Sequence, residues 1–192
     1  MKKLLLILLL PLLFAECKSK KVKLADDDDT VEVTDFVDFF PDLKLPYFAA
    51  DTSFSKKETD SSRIGNKIFS QFVPDSVLKK EFGATAKPEI FPIGKVQIKN
   101  AETYLFLNAY SPSKSVALLI AFDKDNKFIA SLPLVEKDKS SELAKSGGMD
   151  KKYVVTKTVQ KGGASEQYNE EKRVYILNAE AGEFSIIMSD MG

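Results

Sequence analysis

The sequence contains no histidine and no tryptophan, and its 192 residues include a single cysteine, Cys17. Without histidine there is no Ser-His-Asp triad, no imidazole general base and no His-ligated metal. One cysteine cannot close a disulfide within the chain. Several common enzyme chemistries are therefore excluded before any motif is considered.

The chain also lacks an excess of charge of either sign. Lys plus Arg and Asp plus Glu both number 28, so no strong field selects nucleic acid or an acidic substrate. Hydrophobic residues make up 44% of the chain, with 14 Phe and 6 Tyr available to fill a core. This length and composition suit one globular domain with tails.

The longest apolar run is short and lies at the start of the chain. It extends from Leu4 to Ala15, directly after Lys2 and Lys3. As a helix, 12 residues would span about 18 Å, whereas the hydrocarbon core of a bilayer is about 30 Å thick. The pattern therefore predicts a cleavable signal peptide rather than a membrane-spanning helix.

Cys17 follows this run, and the segment resembles the signal of bacterial lipoproteins. In that family the chain is cut before the cysteine, its sulfur receives a diacylglyceryl group, and its amine is then acylated, for example with palmitate. Two or three acyl chains hold a protein firmly, at about 0.8 kcal/mol per buried CH₂. The resemblance predicts a signal peptide over residues 1–16 and lipid attachment at Cys17. Glu16 departs from the family, which favours a small residue there; the alternative is cleavage after Ala15 with a free Cys17.

The residues after Cys17 are almost all polar. KSKKVKLADDDDT carries four lysines followed by four aspartates, Asp26–Asp29. Such a segment buries too little apolar surface to offset its ordering entropy. We predict a mobile tether over 17–31 and a single domain over 32–192. Asp26–Asp29 could alternatively bind calcium, but adjacent aspartates on a flexible chain are not preorganised for a cation.

The first third of the domain contains the signals for short helices. Thr34 or Asp35 is expected to cap a helix that places Phe36, Phe39 and Phe40 on one side. After it, LKLPYF reads as an extended, half-buried segment, and we predict that this aromatic cluster belongs to the core rather than to a ligand patch.

A second helix is predicted in PDSVLKKEFG. It is expected to be capped by Asp75 or Ser76 and to end at Gly83. Residues 51–66 before it read as a loop.

From Pro88 onward the hydrophobic period changes to two. The phase slips at Gly94, which predicts a β-bulge. Residues 104–110 and 116–122 are apolar at both parities, which predicts strands covered on both faces. Further strands are predicted at 127–135, 153–159, 173–177 and 184–188, with a loop over 136–150. The expected fold is mainly β (α+β): an antiparallel sheet of about seven to eight strands, sandwich- or barrel-like, with short N-terminal helices.

Two motifs echo known sites without matching them. Asp123–Lys127 resembles the start of a calcium loop, but Lys127 and Phe128 break the pattern, and a hairpin turn explains the same residues. Ser-x-x-Lys occurs three times, best placed at Ser76 and Lys79, in a chain rich in both residues. We predict no catalytic residue, no metal site and no cofactor.

Four stretches resemble a family of uncharacterised lipoproteins from Bacteroidetes-type bacteria, from about residue 35 to the C-terminus: DFVDFFPDLKLPYF, FSQFVPDSVLKKEFG, KPEIFPIGKV and ALLIAFDKDNKFIASLPL. The resemblance implies a Gram-negative cell envelope, with the domain at the outer membrane on its periplasmic or surface face. It brings no activity and no functional residues.

These signals together predict a lipid-anchored envelope protein, not an enzyme, whose domain binds a protein or glycan partner and no nucleic acid. Two alternatives are a carrier of a small apolar ligand and an envelope hydrolase that uses carboxylates alone. A carrier predicts an enclosed pocket lined by Phe and Leu, a partner-binding domain an exposed aromatic patch, and a hydrolase two facing acids in a cleft.

Overall fold

The structure, a computed structural model, describes residues 24–25, 30–50, 52, 54, 62–138, 145–163 and 166–191. Two antiparallel sheets lie face to face, with a few short helices in the N-terminal part. The predicted mainly β, antiparallel fold is confirmed. Of the two architectures left open, the sheets form a sandwich rather than a closed barrel.

The described residues form three helices and nine strands. The helices are α1 (Val33–Asp38), α2 (Asn66–Phe72) and α3 (Asp75–Phe82). The strands are β1 (Tyr47–Ala50), β2 (Glu89–Gln97), β3 (Thr103–Tyr110), β4 (Lys114–Phe122), β5 (Phe128–Asp138), β6 (Lys145–Met149), β7 (Val155–Gly163), β8 (Glu166–Asn178) and β9 (Glu183–Met191). The four-stranded sheet has the order β2-β3-β4-β5, and the five-stranded sheet the order β1-β6-β7-β8-β9.

The four-stranded sheet is the middle layer of the domain. Strands β3 and β4 are buried along nearly their whole length, as the apolar residues at both parities predict. One face of the sheet, which includes Leu105 and Ile120, packs against the helices. The other face, which includes Phe106 and Leu119, packs against the five-stranded sheet.

The helical layer is organised around Phe36, which is fully buried. Its ring centroid lies 5.6 Å from that of Phe40, 4.7 Å from Phe72, and 6.3 Å from those of Phe69 and Phe122. These rings join α1, α2 and β4, so most of the predicted aromatic cluster is core. Phe48 is the exception, with 58% of its surface exposed.

The helix ends differ from the predicted ones. Helix α1 begins one residue after Glu32, and α3 one residue after Pro74, and neither N-cap residue makes a side-chain capping bond. The predicted caps at Thr34 or Asp35 and at Asp75 or Ser76 are therefore wrong: these residues lie within the first helical turns. Gly83 does end α3, with φ of 91°.

Leu24 anchors the start of the described chain. It is 1% exposed, its carbonyl oxygen accepts a hydrogen bond from the Gly65 amide at 2.6 Å, and it joins the helical side of the core. The segment predicted as a tether thus contributes Leu24 and Val31 to the core. Residues 1–23, including Cys17, and 26–29 lie outside the described residues.

The bulge predicted at Gly94 is confirmed, because the register of β2 against β3 shifts between Pro92 and Gly94. A methyl group on Gly94 would lie 2.8 Å from the Leu43 side chain and 2.9 Å from the Pro41 carbonyl oxygen. The absence of a side chain here lets residues 41–43 run along the edge of β2.

Strand β6 occupies part of the predicted loop 136–150, so that prediction is wrong. Its Gly147 lies against the β5 backbone, and a methyl group there would clash with the Leu134 carbonyl. Gly148 is tight for another reason, since a methyl on it would clash with β1, the neighbouring strand of the same sheet. Gly147 is therefore required by the close approach of the two sheets, and Gly148 by its contact with β1, although glycine has little strand preference by itself.

Replacing Gly147 by Ala is expected to lower the free energy of unfolding by about 3 kcal/mol, because a backbone carbonyl must move to admit the new methyl group. Urea unfolding followed by circular dichroism measures this change. Gly182→Ala is the matched control: a methyl group there meets no atom closer than 3.5 Å and should cost only about 1 kcal/mol for its positive φ. Equal effects of the two substitutions would contradict the close approach of the sheets.

Candidate functional site

The predicted lipid-attachment residue, Cys17, lies outside the described residues, so the structure gives no geometry for it. Among the residues that the structure does describe, no helix has the length and apolar character needed to cross a bilayer. In the same ranges, no cluster of three or more acidic, cysteine or histidine side chains is arranged to hold a metal ion.

The segment that resembles a calcium loop is a hairpin turn between β4 and β5, as predicted. The Asp123 carboxylate accepts hydrogen bonds from the amides of Asp125 and Lys127, both at 2.8 Å. Asn126 adopts a left-handed φ of 57°, which its short polar side chain tolerates. Asp123, which would be the first ligand of a calcium loop, thus stabilises the hairpin turn instead.

The lysines of two Ser-x-x-Lys motifs are engaged by carboxylates. Lys79 Nζ lies 3.0 Å from Asp75 Oδ2 on the surface of α3. Lys114 lies between Glu81 of α3 and Glu136 of β5, at 3.0 and 3.2 Å from their nearest carboxylate oxygens. A lysine that activates a serine must give up its proton, and paired carboxylates oppose that loss.

Lys114, Glu81 and Glu136 form a largely buried charged cluster that joins α3 to the four-stranded sheet. The Glu81 side chain is 8% exposed. Burial lowers the pKa of Lys114, but the hydrogen bond and charge of Glu81 and the charge of Glu136 outweigh it, so the pKa lies above its usual value. Because the Lys114 ammonium pairs with both glutamates, the cluster connects α3 to β5 and has a structural role.

The largest apolar side chains exposed in the described ranges concentrate on β8 and β9. Ile176 is 40% exposed, Ile186 55%, Ile187 56% and Met188 49%. We call these four residues the β8–β9 patch. Most of the other large aliphatic side chains in the described ranges are buried in one of the two core clusters, so the exposure of these four residues is unusual for this domain.

Strand β9 also lies at an edge of its sheet. Among the described strands it pairs with β8 alone, over eight residue pairs. The edge of β2 is covered instead. The Leu43 amide donates to the Lys95 carbonyl oxygen and the Lys95 amide to the Pro41 carbonyl oxygen, both at 2.8 Å, and the Ile64 amide donates to the Ile90 carbonyl oxygen. Strand β1 offers only four residues, and β5 contacts β6 and β9 of the other sheet.

Both faces of β9 contribute to the patch. Ile186 pairs with Tyr175, which belongs to the core between the sheets, and Met188 pairs with Val174 on the opposite face. Ile187 is the extra residue of a bulge between these pairs. Since Ile186 points toward the smaller sheet and is still 55% exposed, that sheet does not extend over the second half of β9.

Two exposed aromatic residues lie away from this patch. Phe48 is on β1, at the opposite edge of the sheet, with its ring beside Gly148. Tyr153 stacks on Tyr104 with an interplanar angle of 11°. Burial beneath this ring, together with the charge of Glu102, raises the pKa of the Tyr104 hydroxyl to about 12. Tyr104 is thus a covered core residue rather than a ligand platform.

Sequence reasoning located the strand at 184–188 but not its exposure. Three consecutive apolar residues, Ile186 to Met188, resemble the pattern of the buried strands β3 and β4, so the local sequence holds no signal of their exposure.

No protein-family model, curated protein or solved structure significantly matches the chain.

Replacing Lys114 by Met is expected to lower the free energy of unfolding by about 1–3 kcal/mol at neutral pH, a value reduced for partial exposure, because the buried Glu81 loses its cation. The contribution of Lys114 should be fully present below pH 10.5, the ordinary lysine pKa, and should be lost as pH rises through the higher folded-state pKa. Urea unfolding of both proteins as a function of pH measures the difference.

Lys79→Met is the control for that measurement, since it removes a lysine from an exposed pair and should change stability little. If the free energies of unfolding of wild type and Lys114→Met still differ by the same amount well above pH 10.5, the charge of Lys114 is not what stabilises the fold.

Proposed function

We propose that the protein is a lipid-anchored component of a bacterial cell envelope whose domain binds a protein partner, without catalysis, through the β8–β9 patch. The observation that carries this proposal is the exposure of Ile176 on β8 and of Ile186, Ile187 and Met188 on β9, an edge strand of the five-stranded sheet. Exposed apolar residues grouped in this way are typical of interaction sites.

An open edge offers a partner two kinds of contact. Among the described strands none pairs with the outer side of β9, so an extended segment of a partner can add a strand there. The side chains of Ile186 and Met188, on opposite faces of the strand, give the added segment apolar contacts on both sides. This combination favours a protein partner.

A glycan fits the same surface poorly. Sugar hydroxyls need hydrogen-bonding side chains, and an aliphatic surface leaves them without partners. The exposed aromatic residues that could stack on a sugar, Phe48 and Tyr153, lie outside the patch. The sequence analysis predicts an aromatic partner-binding surface, whereas the surface we propose is aliphatic.

Neither alternative function has comparable support. A carrier needs space between the sheets, but β5 and β6 touch through Gly147, and the facing side chains, such as Phe106 and Leu119, are fully buried. A carboxylate-only hydrolase needs two facing acids free to act, whereas Glu81 and Glu136 share the Lys114 ammonium.

The envelope location is supported by the sequence alone. The positive residues, the short apolar run and Cys17 match a lipoprotein signal apart from Glu16, and the later stretches resemble envelope lipoproteins. Acyl chains on Cys17 would hold the domain at a membrane surface while leaving β9 available.

Cys17→Ala is expected to abolish incorporation of labelled palmitate and to release the protein from the membrane fraction of expressing bacteria. Ser19→Ala, a change of similar size two residues on, should leave both unchanged. Labelling that persists in Cys17→Ala would show that the anchor lies elsewhere or does not exist.

The double variant Ile176→Lys, Met188→Lys is expected to lose most of its cross-linked products in intact envelopes, because two charges would enter the apolar contact. Phe48→Lys adds a charge at a side chain of equal exposure on the opposite edge and should retain those products. Mass spectrometry of the cross-linked species measures both. Unchanged products in the double variant, with normal folding by circular dichroism, would place the interaction on another surface.

A further inference from the structure

We propose that Met188 is an oxidation site, and that a peroxide which converts it to methionine sulfoxide weakens partner binding at the β8–β9 patch. The site itself follows from the exposure of Met188 in the folded domain. Its effect on binding rests on the proposed function and adds a means of regulating it.

Sulfur is scarce in this chain, which has one cysteine and four methionines. Met1 and Cys17 precede the described residues, and the side chain of Met191, at the end of β9, also lies outside them. The thioethers whose surroundings the structure describes are those of Met149 and Met188. Because peroxides oxidise sulfur side chains that they can reach, the exposure of these two methionines predicts which of them reacts.

Met149 and Met188 have opposite surroundings. Met149 of β6 is fully buried and belongs to the core between the two sheets. Met188 of β9 is 49% exposed. A small oxidant in water therefore reaches Met188 in the folded protein, whereas it reaches Met149 only when the sandwich opens.

Met188 also lies on the apolar outer face of β8 and β9. Its ladder partner is Val174, and because the next residue of β8, Tyr175, belongs to the core between the sheets, Val174 and Met188 share the outer face. Side chains opposite each other in a ladder lie side by side, so Met188 helps to cover Val174. Ile176, two residues further along β8, is on the same face. A polar group on the Met188 sulfur would therefore enter a surface that is otherwise aliphatic.

The reaction adds one oxygen atom to the sulfur. A lone pair of the Met188 sulfur attacks one oxygen of hydrogen peroxide, the O–O bond breaks, and hydroxide departs. The transferred oxygen gives its proton to that hydroxide, which leaves as water. Sulfur loses two electrons and the peroxide gains them, and the product is a polar sulfoxide in place of an apolar thioether.

A sulfoxide at Met188 opposes an apolar contact. In the free protein its oxygen accepts hydrogen bonds from water, and a partner that covers the patch with apolar side chains removes that water without supplying a donor. We therefore expect oxidation to weaken binding about tenfold or more. Methionine sulfoxide reductases restore the thioether, so the effect is reversible.

The first measurement locates the oxidation. The full chain is treated with hydrogen peroxide, digested with trypsin and analysed by mass spectrometry. Met149 lies in peptide 146–151 and Met188 in the peptide that follows Arg173, where Met191→Leu removes the second methionine. Met188 is expected to gain oxygen at least about tenfold faster than Met149 in the folded protein, and the two rates should become similar in urea. Equal rates in the folded protein would overturn the assignment of the site.

The second measurement is the effect on binding, read from the cross-linked products in intact envelopes before and after peroxide. Wild type is expected to lose most of its products after peroxide. Met188→Leu is the matched control, because it keeps the patch apolar without an oxidisable sulfur, and it should retain them. Met188→Gln, with a polar side chain of similar length, should give few products even without peroxide. Equal losses in wild type and Met188→Leu would show that Met188 is not the sensitive residue.

The outcomes separate this inference from the proposed function. If Ile176→Lys, Met188→Lys abolishes the products but peroxide affects wild type and Met188→Leu alike, the inference is wrong and the proposed function stands. If Met188 is oxidised first but no product depends on the patch, the proposed function and the effect on binding are both wrong, and only the site of oxidation stands.

Discussion

The fold depends on the burial of both faces of one pair of strands. In β3 and β4 nearly every side chain is inside, so the four-stranded sheet cannot exist without a layer on each side of it. The helices supply one layer and the five-stranded sheet the other. At about 25 cal/mol per Å² of apolar surface, this double burial is the dominant stabilising contribution, and it explains why short uncapped helices persist.

The second constraint is how closely the covering sheet must approach. Gly147 brings β6 into contact with β5 of the other sheet, which closes the sandwich at that end. At the other end the larger sheet extends past the smaller one, and Ile186 is exposed although its ladder partner Tyr175 is buried. Unequal sheets thus explain the exposure of Ile186, whereas Ile176 and Met188 lie on the outer face of the larger sheet.

The sequence predicts the parts of this fold that depend on local pattern. Two-sided burial at 104–110 and 116–122, the bulge at Gly94, the turn at 123–127 and the helix stop at Gly83 all arise within a few residues. It does not predict β6, because Ser146, Gly147 and Gly148 favour a strand only through contacts with β1 and β5. For the same reason the binding edge was missed: whether Ile187 is covered depends on strand order, which local pattern does not contain.

The docking of Leu24 bears on any tether that begins at Cys17. Six residues lie between the two, and the seven Cα–Cα steps from Cys17 to Leu24 reach at most about 25 Å when fully extended. If Cys17 carries a lipid, the surface around Leu24 and Gly65, at the start of α2, stays within that distance of the membrane. The helical layer, which Leu24 joins, would then be held closer to the lipid headgroups than a longer tether would hold it.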